Sequence, residues 1–571
     1  MKLNVFLFTN DNILDLDDIP VLNNHYEFII LRQKAVSTYS KLSHLIRKYK
    51  PVVLCTIGQE SDWPALYSLP YEYTKRWVNY EKLSDVKSQH IENCYLHSAL
   101  NNRFSTKQPL FSVITTTFHS GDKIYRPYNS LMAQTYKNWE WVLWDDSKEG
   151  HMETWDQLLK FQDEDIRINC YKAPQHSGYI GEMKWRSGSL CKGEWIVELD
   201  HDDIIDERLF EWCTEAINKY PDANFICTSC IELQEGDEEP FAYGDFFAFG
   251  YGSYQKQWLR GKWHNVSLNP QINPLTIRYI IGVPNHVRIW RRSFYEEIGR
   301  HNPDLPVVDD YELLLRSFFE GKWINIGVPG YYQYRNKGGN NFTFLRNSLI
   351  QYLTKNICAV YEENIRKYWK NNNIYDPCAS GGWPATYKVW EKKEGFTYID
   401  YYKNYSPDVS DKTVSIVIPF ENESLEELCI TLDTIKEQTI NDTLIYIIGN
   451  KSNTLDGIMD TVQTKYDCNF ISKIRWWNLS TKLTQQVSLN YVHRMLIVTN
   501  WISYITPGKT WNKDYLEKTM DDLTKSNKKI WIDDTNSNIK SVLNTVHHYE
   551  LLKKIDELSD FTLDLALSLA G

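Results

Sequence analysis

The sequence predicts an α/β protein built on mostly parallel sheets, and three observations lead there. Short apolar runs rich in Val, Ile and aromatic residues alternate with segments of helical periodicity, the pattern of strand, helix, strand units. Two of those runs end in acidic clusters, at the carboxyl ends of strands where such sheets place their ligands. The same succession of runs then returns near the C-terminus. At 571 residues the chain is several times longer than one core usually supports, so several domains are expected.

Taken in order, residues 1–107 hold LNVFLF, EFIIL and PVVLCTIG around a helical stretch, STYSKLSHLIRKYK, which reads as a small α/β (Rossmann-like) unit. The polar NNRFSTKQP ends in Pro109 and reads as a linker. A second α/β unit, 108–340, opens with FSVITTTF and passes through a helix-like segment around SLMAQTY. It continues through WEWVLWDD and, after GEMKWRSGSLCKG, reaches EWIVELD. Residues 341–411 begin with helical periodicity that DPCASGGWP breaks, as a helical spacer would. From Val414 the chain starts again, and 412–571 lays over the second unit.

Composition narrows the function classes. A formal charge of -11 argues against a nucleic-acid partner, since phosphate contacts need clustered Lys and Arg. Eleven scattered cysteines fit no disulfide framework, and Cys227 and Cys230 form a lone CxxC with no second pair to complete a zinc site. The start MKLNVFLFTND is too short for a secretory signal, and no run approaches the roughly 18 apolar residues of a transmembrane span. A soluble, cytoplasmic protein in a reducing compartment is therefore expected, with sequons such as those at Asn265 and Asn341 unmodified.

The sharpest chemical signal is ELDHDD. In an extended strand end, residues two apart face the same way, so Asp200 and Asp202 can address one ligand while Asp203 begins a turn. Carboxylates so placed suit Mn²⁺ or Mg²⁺, which keep waters and bind substrate phosphates. An isolated DxD is more often an acidic turn or helix cap. Here it belongs to an ordered set: SVITTTF, AQTYKNWEWVLWDDS, GEMKWRSGSLCKGEWIVELDHDD, VVDDYELLLR and YYQYR.

With those five motifs in order, residues 110–340 resemble a family 2 glycosyltransferase catalytic domain of GT-A fold, a mixed Rossmann-like sheet for nucleotide-diphospho-sugars. The resemblance implies that Thr117, Asp145 and Asp146 hold the nucleobase and ribose of a UDP- or GDP-sugar donor. Strand-end capping is the plainer reading of Asp146 alone. Arg186, or alternatively Lys184, would approach the donor phosphates. Asp200, Asp202 and Asp203 would bind the diphosphate and its metal, and Asp310 matches the general base. The implied activity is metal-dependent, inverting transfer of a sugar to a hydroxyl acceptor on a glycan, lipid or protein. Without the resemblance, Asp310 reads as an acid favoured by a helix start, and both roles are compatible.

The C-terminal copy keeps pattern and loses acids. Aligning WISYITPGKT with WIVELDHDDI puts Thr506, Gly508 and Lys509 where Asp200, Asp202 and Asp203 stand. The pair Asp145-Asp146 faces Gly449-Asn450 or Asn450-Lys451, depending on a one-residue gap, and DFTLDLALSLAG aligns with DYELLLRSFFEG. This region is expected to be degenerate and inactive. Between Phe241 and Trp263, nine aromatic residues fall in 23 positions. They are read either as an acceptor wall that stacks on sugars or as a buried domain contact, with Asp245 and His264 as weaker site candidates. Two other functions compete with the leading one. A non-catalytic carbohydrate-binding or scaffold protein is disfavoured by the intact DHDD and VVDDYE, and a nucleotidyltransferase by the single Gly in FSVITTTFHSGDK.

Overall fold

Apart from Ser112, FSVITTT is apolar or β-branched, and it is buried at six of its seven positions, which is the signature of a central strand covered on both faces. The computed structural model describes residues 2–10, 26–96, 109–150, 152–244, 246–248, 252–270, 272–335, 345–379, 402–407, 409–420, 423–449, 455–478, 497, 499–526, 530–532 and 541–544. Asp245, the sequon at Asn341, most of DPCASGGWP and the segment DFTLDLALSLAG lie outside them. The described chain divides into two units, residues 1–226 with 287–322, and residues 227–286 with 323–571.

The first unit begins with four parallel strands, β1 (Leu3–Phe8), β2 (Tyr26–Leu31), β3 (Val53–Ile57) and β4 (Trp77–Tyr80), in the order β2-β1-β3-β4. Alternate side chains feed separate cores on the two faces. This module is fastened to the next by the helix Tyr39–Tyr49: Tyr39 Oη donates to Asp165 at 3.0 Å, and Arg47 donates to the Asp165 and Ile168 carbonyls. The main sheet holds β5 (Phe111–Thr117), β6 (Trp139–Asp145), β7 (Ile168–Lys172) and β8 (Trp195–Glu198), parallel in the order β7-β6-β5-β8. The strand Arg288–Arg291 runs antiparallel along β8. The fold class is thus α/β of GT-A type, and both acidic clusters sit at carboxyl ends of its parallel strands.

In the second unit, Ile474–Asn478, Thr443–Gly449, Val414–Phe420 and Trp501–Tyr504 are parallel in that same order, with Ser541–Asn544 antiparallel along the last. The pairing register matches as well. Phe111 and Ser112 pair with Trp195 and Ile196, while Val414 and Ser415 pair with Trp501 and Ile502. Thr117 faces Asp145 where Phe420 faces Gly449, which selects the Gly449-Asn450 alignment. Buried glutamines repeat too. Gln134 donates to the Ser130 and Asp206 carbonyls and accepts from Phe210 N, and Gln438 does the same with Thr434, Asn512 and Leu516.

The aromatic segment supplies the antiparallel strands Gly252–Leu259 and Lys262–Leu268. The first of them pairs with Ile474–Asn478, Trp258 and Trp263 pack against the C-terminal core, and Trp477 Nε1 donates to Ser253 Oγ at 2.7 Å. For those two rings the packing fits the domain-contact reading. Helix Asn347–Asn371 opens the expected spacer, and the fully buried Arg278 pins it through Glu362 and Asp376. Among the described residues no helix is long and apolar enough to cross a membrane, and none of the eleven cysteines is in a disulfide.

Candidate active site

The end of β5 and the end of β6 meet at a buried carboxylate. Thr117 Oγ1 donates to Asp145 Oδ1 at 2.9 Å, and Ser147 donates to the same oxygen from Oγ at 2.6 Å and from its backbone N at 3.3 Å. Asp145 Oδ2 is also buried but has no protein donor among the described residues. The next residue is held just as firmly. Asp146 accepts from the backbone N–H groups of Ser177 and Gly178 at 2.9 and 3.0 Å and lies 2.8 Å from His176 Nδ1. Asp146 therefore shapes the loop after β7, the local role the sequence allowed it, and it also lines a cleft.

That cleft of about 240 Å³ is bounded by Trp144, Asp146, His176, Glu182, Met183 and Arg186. Arg186 projects from the helix Ile180–Leu190, half exposed, with both donors on Glu182 one turn earlier and its guanidinium 5.6 Å from the Trp144 ring centre. The geometry thus brings Asp146 and Arg186 together at one cavity. Lys184, the alternative phosphate ligand, is engaged within the protein: its Nζ is buried, 3.2 Å from Glu198 and 3.4 Å from Asp309.

The loop after β8 is anchored from below, where Thr115 Oγ1 donates to Leu199 O at 2.7 Å, and from the side, where Arg126 donates to Asp202 O at 3.0 Å. Asp200 and Asp202 are partly open, whereas Asp203 is buried. Their oxygens are not drawn into a ready-made cage: among the described residues the one group of His, Cys, Asp and Glu with ligand atoms all within 4.8 Å is Glu198, His301 and Asp309. Hard oxygen donors on Asp200 and Asp202 fit a cation such as Mn²⁺ or Mg²⁺, which takes one or two carboxylates and fills its remaining positions from water and phosphate.

Asp310 stands in the first turn of the helix Asp309–Glu320. The residue before the helix, Val308, adopts φ 66°, a left-handed conformation costly for a β-branched side chain, and such strain persists where surrounding structure over-determines it. Asp310 Oδ1 accepts from Tyr311 N at 2.8 Å, and Oδ2 lies 2.7 Å from Arg288 Nη1, with about a fifth of the side chain open to solvent. Burial alone would raise its pKa, but Arg288 and Lys184 outweigh burial and hold the carboxyl below the usual range. Asp309 behaves oppositely, because its burial outweighs Lys184 and His301 and pushes it up.

Sequence reasoning overlooked Glu198, Arg288 and His301. Two of them have a signal in retrospect, since Glu198 interrupts WIVEL and Arg288 interrupts VRIW, both buried apolar strands in which an ionisable residue is expensive.

Residues 112–273 match the family described as Glycosyl transferase family 2. The UDP-Glc:alpha-D-GlcNAc-diphosphoundecaprenol beta-1,3-glucosyltransferase WfaP of Escherichia coli is 30% identical over 138 residues, 24% of this chain and 46% of its own. The poly(ribitol-phosphate) beta-N-acetylglucosaminyltransferase TarP of Staphylococcus aureus is 28% identical over 102 residues, 18% of this chain and 30% of its own. The match thus spans less than half the length of these curated relatives. A solved structure of S. aureus TarS residues 1–349 in complex with UDP-GlcNAc aligns at 16% identity with a TM-score of 0.34, covering 47% of this chain and 68% of that one.

Proposed function

We propose that the family 2 glycosyltransferase domain marked by residues 112–273 works as a metal-dependent, inverting transferase that moves a sugar from a nucleotide-sugar to a hydroxyl acceptor. The observation that carries this reading is Asp310, an ionised, partly open carboxylate at a helix start, in the same unit as the partly open Asp200 and Asp202. In this reading the donor's nucleoside lies in the cleft beside Asp146, with Thr117 and Asp145 beneath it and Arg186 toward the phosphates. A divalent cation, Mn²⁺ or Mg²⁺, held by Asp200 and Asp202 with Asp203 behind them, would neutralise charge on the departing diphosphate. Asp310 takes the proton from the acceptor hydroxyl as its oxygen attacks the anomeric carbon. The new C–O bond forms opposite the breaking bond to phosphate, so one displacement inverts the centre.

A UDP-sugar is the first donor to test, because two relatives are named for transfer of glucose from UDP-glucose and of N-acetylglucosamine. We assign the chain four regions: a leading α/β module at 1–107, the catalytic domain at 108–340, a spacer at 341–411 and a duplicated, non-catalytic domain at 412–571. The shared strand order and register and the paired roles of Gln134 and Gln438 support duplication. Eleven cysteines outside any disulfide fit a reducing, cytoplasmic setting. The test is a thermal-shift and hydrolysis screen of UDP- and GDP-sugars with and without Mn²⁺, on wild type and Asp202→Ala. Metal-dependent stabilisation and turnover by wild type alone are expected, and no metal-dependent binding of any nucleotide would overturn the reading.

A further inference from the structure

Behind Asp310 lies a buried ionic cluster that the transfer reaction, as derived above, does not use. Arg288 Nη1 is 2.7 Å from Asp310 Oδ2 and 3.6 Å from Glu198 Oε2. Glu198 Oε1 in turn meets Lys184 Nζ at 3.2 Å and His301 Nε2 at 2.6 Å, and Tyr295 Oη lies 2.7 Å from His301 Nδ1. We propose that Arg288 is the positioning residue of the general base: its guanidinium fixes the Asp310 carboxylate, and Glu198 ties that guanidinium to the strand that leads into Asp200. This rests on reading Asp310 as the base.

Three lines of argument lead to it. First, both Asp310 oxygens are engaged from behind, Oδ1 by Tyr311 N and Oδ2 by Arg288, so the carboxylate has one orientation before an acceptor arrives. A preset orientation is where much of a positioned group's catalytic effect comes from.

Second, folding does not demand the cluster. A buried guanidinium and carboxylate are costly, and apolar residues of similar volume usually serve stability as well or better. The C-terminal sheet closes in the same register with Tyr504 in the place of Glu198, and one step beyond the Ser503 and Val542 pair it offers Ser541 where Arg288 stands. Among the described residues, the sheet without the acidic motif thus has no ionisable pair at the two positions that match Glu198 and Arg288.

Third, the ions explain why Glu198, His301 and Asp309, although close enough for a metal, do not need one. Lys184 already sits among their oxygens, and both ring nitrogens of His301 are engaged within the protein, Nε2 with Glu198 and Nδ1 with Tyr295. Lys184 and Arg288 face Glu198, Asp309 and Asp310, and burial pushes Asp309 up while Arg288 and Lys184 hold Asp310 down. Asp200 is the further acid whose charge reaches this cluster.

The test compares Arg288→Gln and Arg288→Lys with wild type, measuring kcat, donor KM and the pH dependence of nucleotide-sugar turnover. Melting temperature and Mn²⁺-dependent UDP binding serve as the check on folding. For Arg288→Gln, kcat should fall roughly 100-fold with donor KM within about twofold, and the acid limb should move up by about 1–3 pH units. Arg288→Lys should recover part of kcat and return the acid limb toward wild type. A folded Arg288→Gln with wild-type kcat and an unmoved limb would sink the proposal while leaving the transferase reading intact. If that variant fails to fold, Arg288→Lys decides: unchanged kcat and an unchanged limb overturn the role. Wild type that turns over no nucleotide-sugar overturns the transferase reading and this role with it.

Discussion

The β7-β6-β5-β8 sheet and the sheet centred on Val414–Phe420 follow one plan and differ in what stands at their strand ends. In both, Ser112 or Ser415 is buried on the first strand, and a buried glutamine closes the turn after the first helix. Thr135 and Thr439 likewise donate to Glu211 and Glu517 at 3.1 and 2.8 Å. Where the first sheet presents Asp200, Asp202 and Asp203, the second presents Thr506, Gly508 and Lys509. Its loop is closed by Thr431, whose hydroxyl donates to the Thr506 and Lys509 carbonyls, and by Gly508 at φ 80°. The lesson is that polar groups which satisfy backbone are kept because leaving them unpaired is expensive, while charges that serve only a ligand are free to go.

The largest expected effect breaks the comparison at its catalytic end. Asp310→Asn, nearly isosteric, should cut turnover by about 10²–10⁴-fold while metal-dependent UDP binding persists. Retained turnover would remove Asp310 as the base. Next, Asp202→Ala should lower turnover by about 10²–10³-fold, with no residual transfer from residues 412–571. The sharper version adds Thr506→Asp, Gly508→Asp and Lys509→Asp on that background. Restored acids should not restore activity, because the copy has Tyr504 and Ser541 in place of the ions behind the base. Any Mn²⁺-dependent transfer by this variant would show the copy to be dormant rather than dismantled.

How much of this was legible beforehand follows from which interactions are local. The strand runs and the acidic strand ends could be read because periodicity and motif order are properties of the chain itself. The cluster behind Asp310 could not, since Lys184, Glu198, Arg288 and His301 come from four separate segments and meet only when the strand Arg288–Arg291 lies along β8. The aromatic segment was ambiguous for a related reason. Trp258 and Trp263 have the composition of a sugar platform, and only the pairing of their hairpin with Ile474–Asn478 shows them as core.

A smaller effect concerns the second sheet's packing. Ile416 is fully buried in the core beneath it, so Ile416→Ala should cost about 2–5 kcal/mol by loss of transfer energy and the cavity left behind. If the second sheet serves only as structure, donor affinity measured well below the melting transition should be unchanged. A fall in donor affinity without unfolding would give that sheet a part in the reaction.

The mildest effect is in the hairpin that joins the second sheet. His264 pairs across it with Gln257 and is buried, and that burial, with Lys262 and Arg260 nearby, lowers its pKa from 6.5 to about 4. A histidine depressed in the folded state binds its proton more readily when unfolded. Its contribution to stability is therefore complete above pH 6.5 and is lost as pH falls through about 4. Stability should fall across that window by an amount of order 1–3 kcal/mol, read as a falling melting temperature, and His264→Gln should flatten the drop. A wild-type profile flat from pH 7 to 4 would mean that water reaches the ring, and the hairpin would then be a looser attachment than its pairing with Ile474–Asn478 implies.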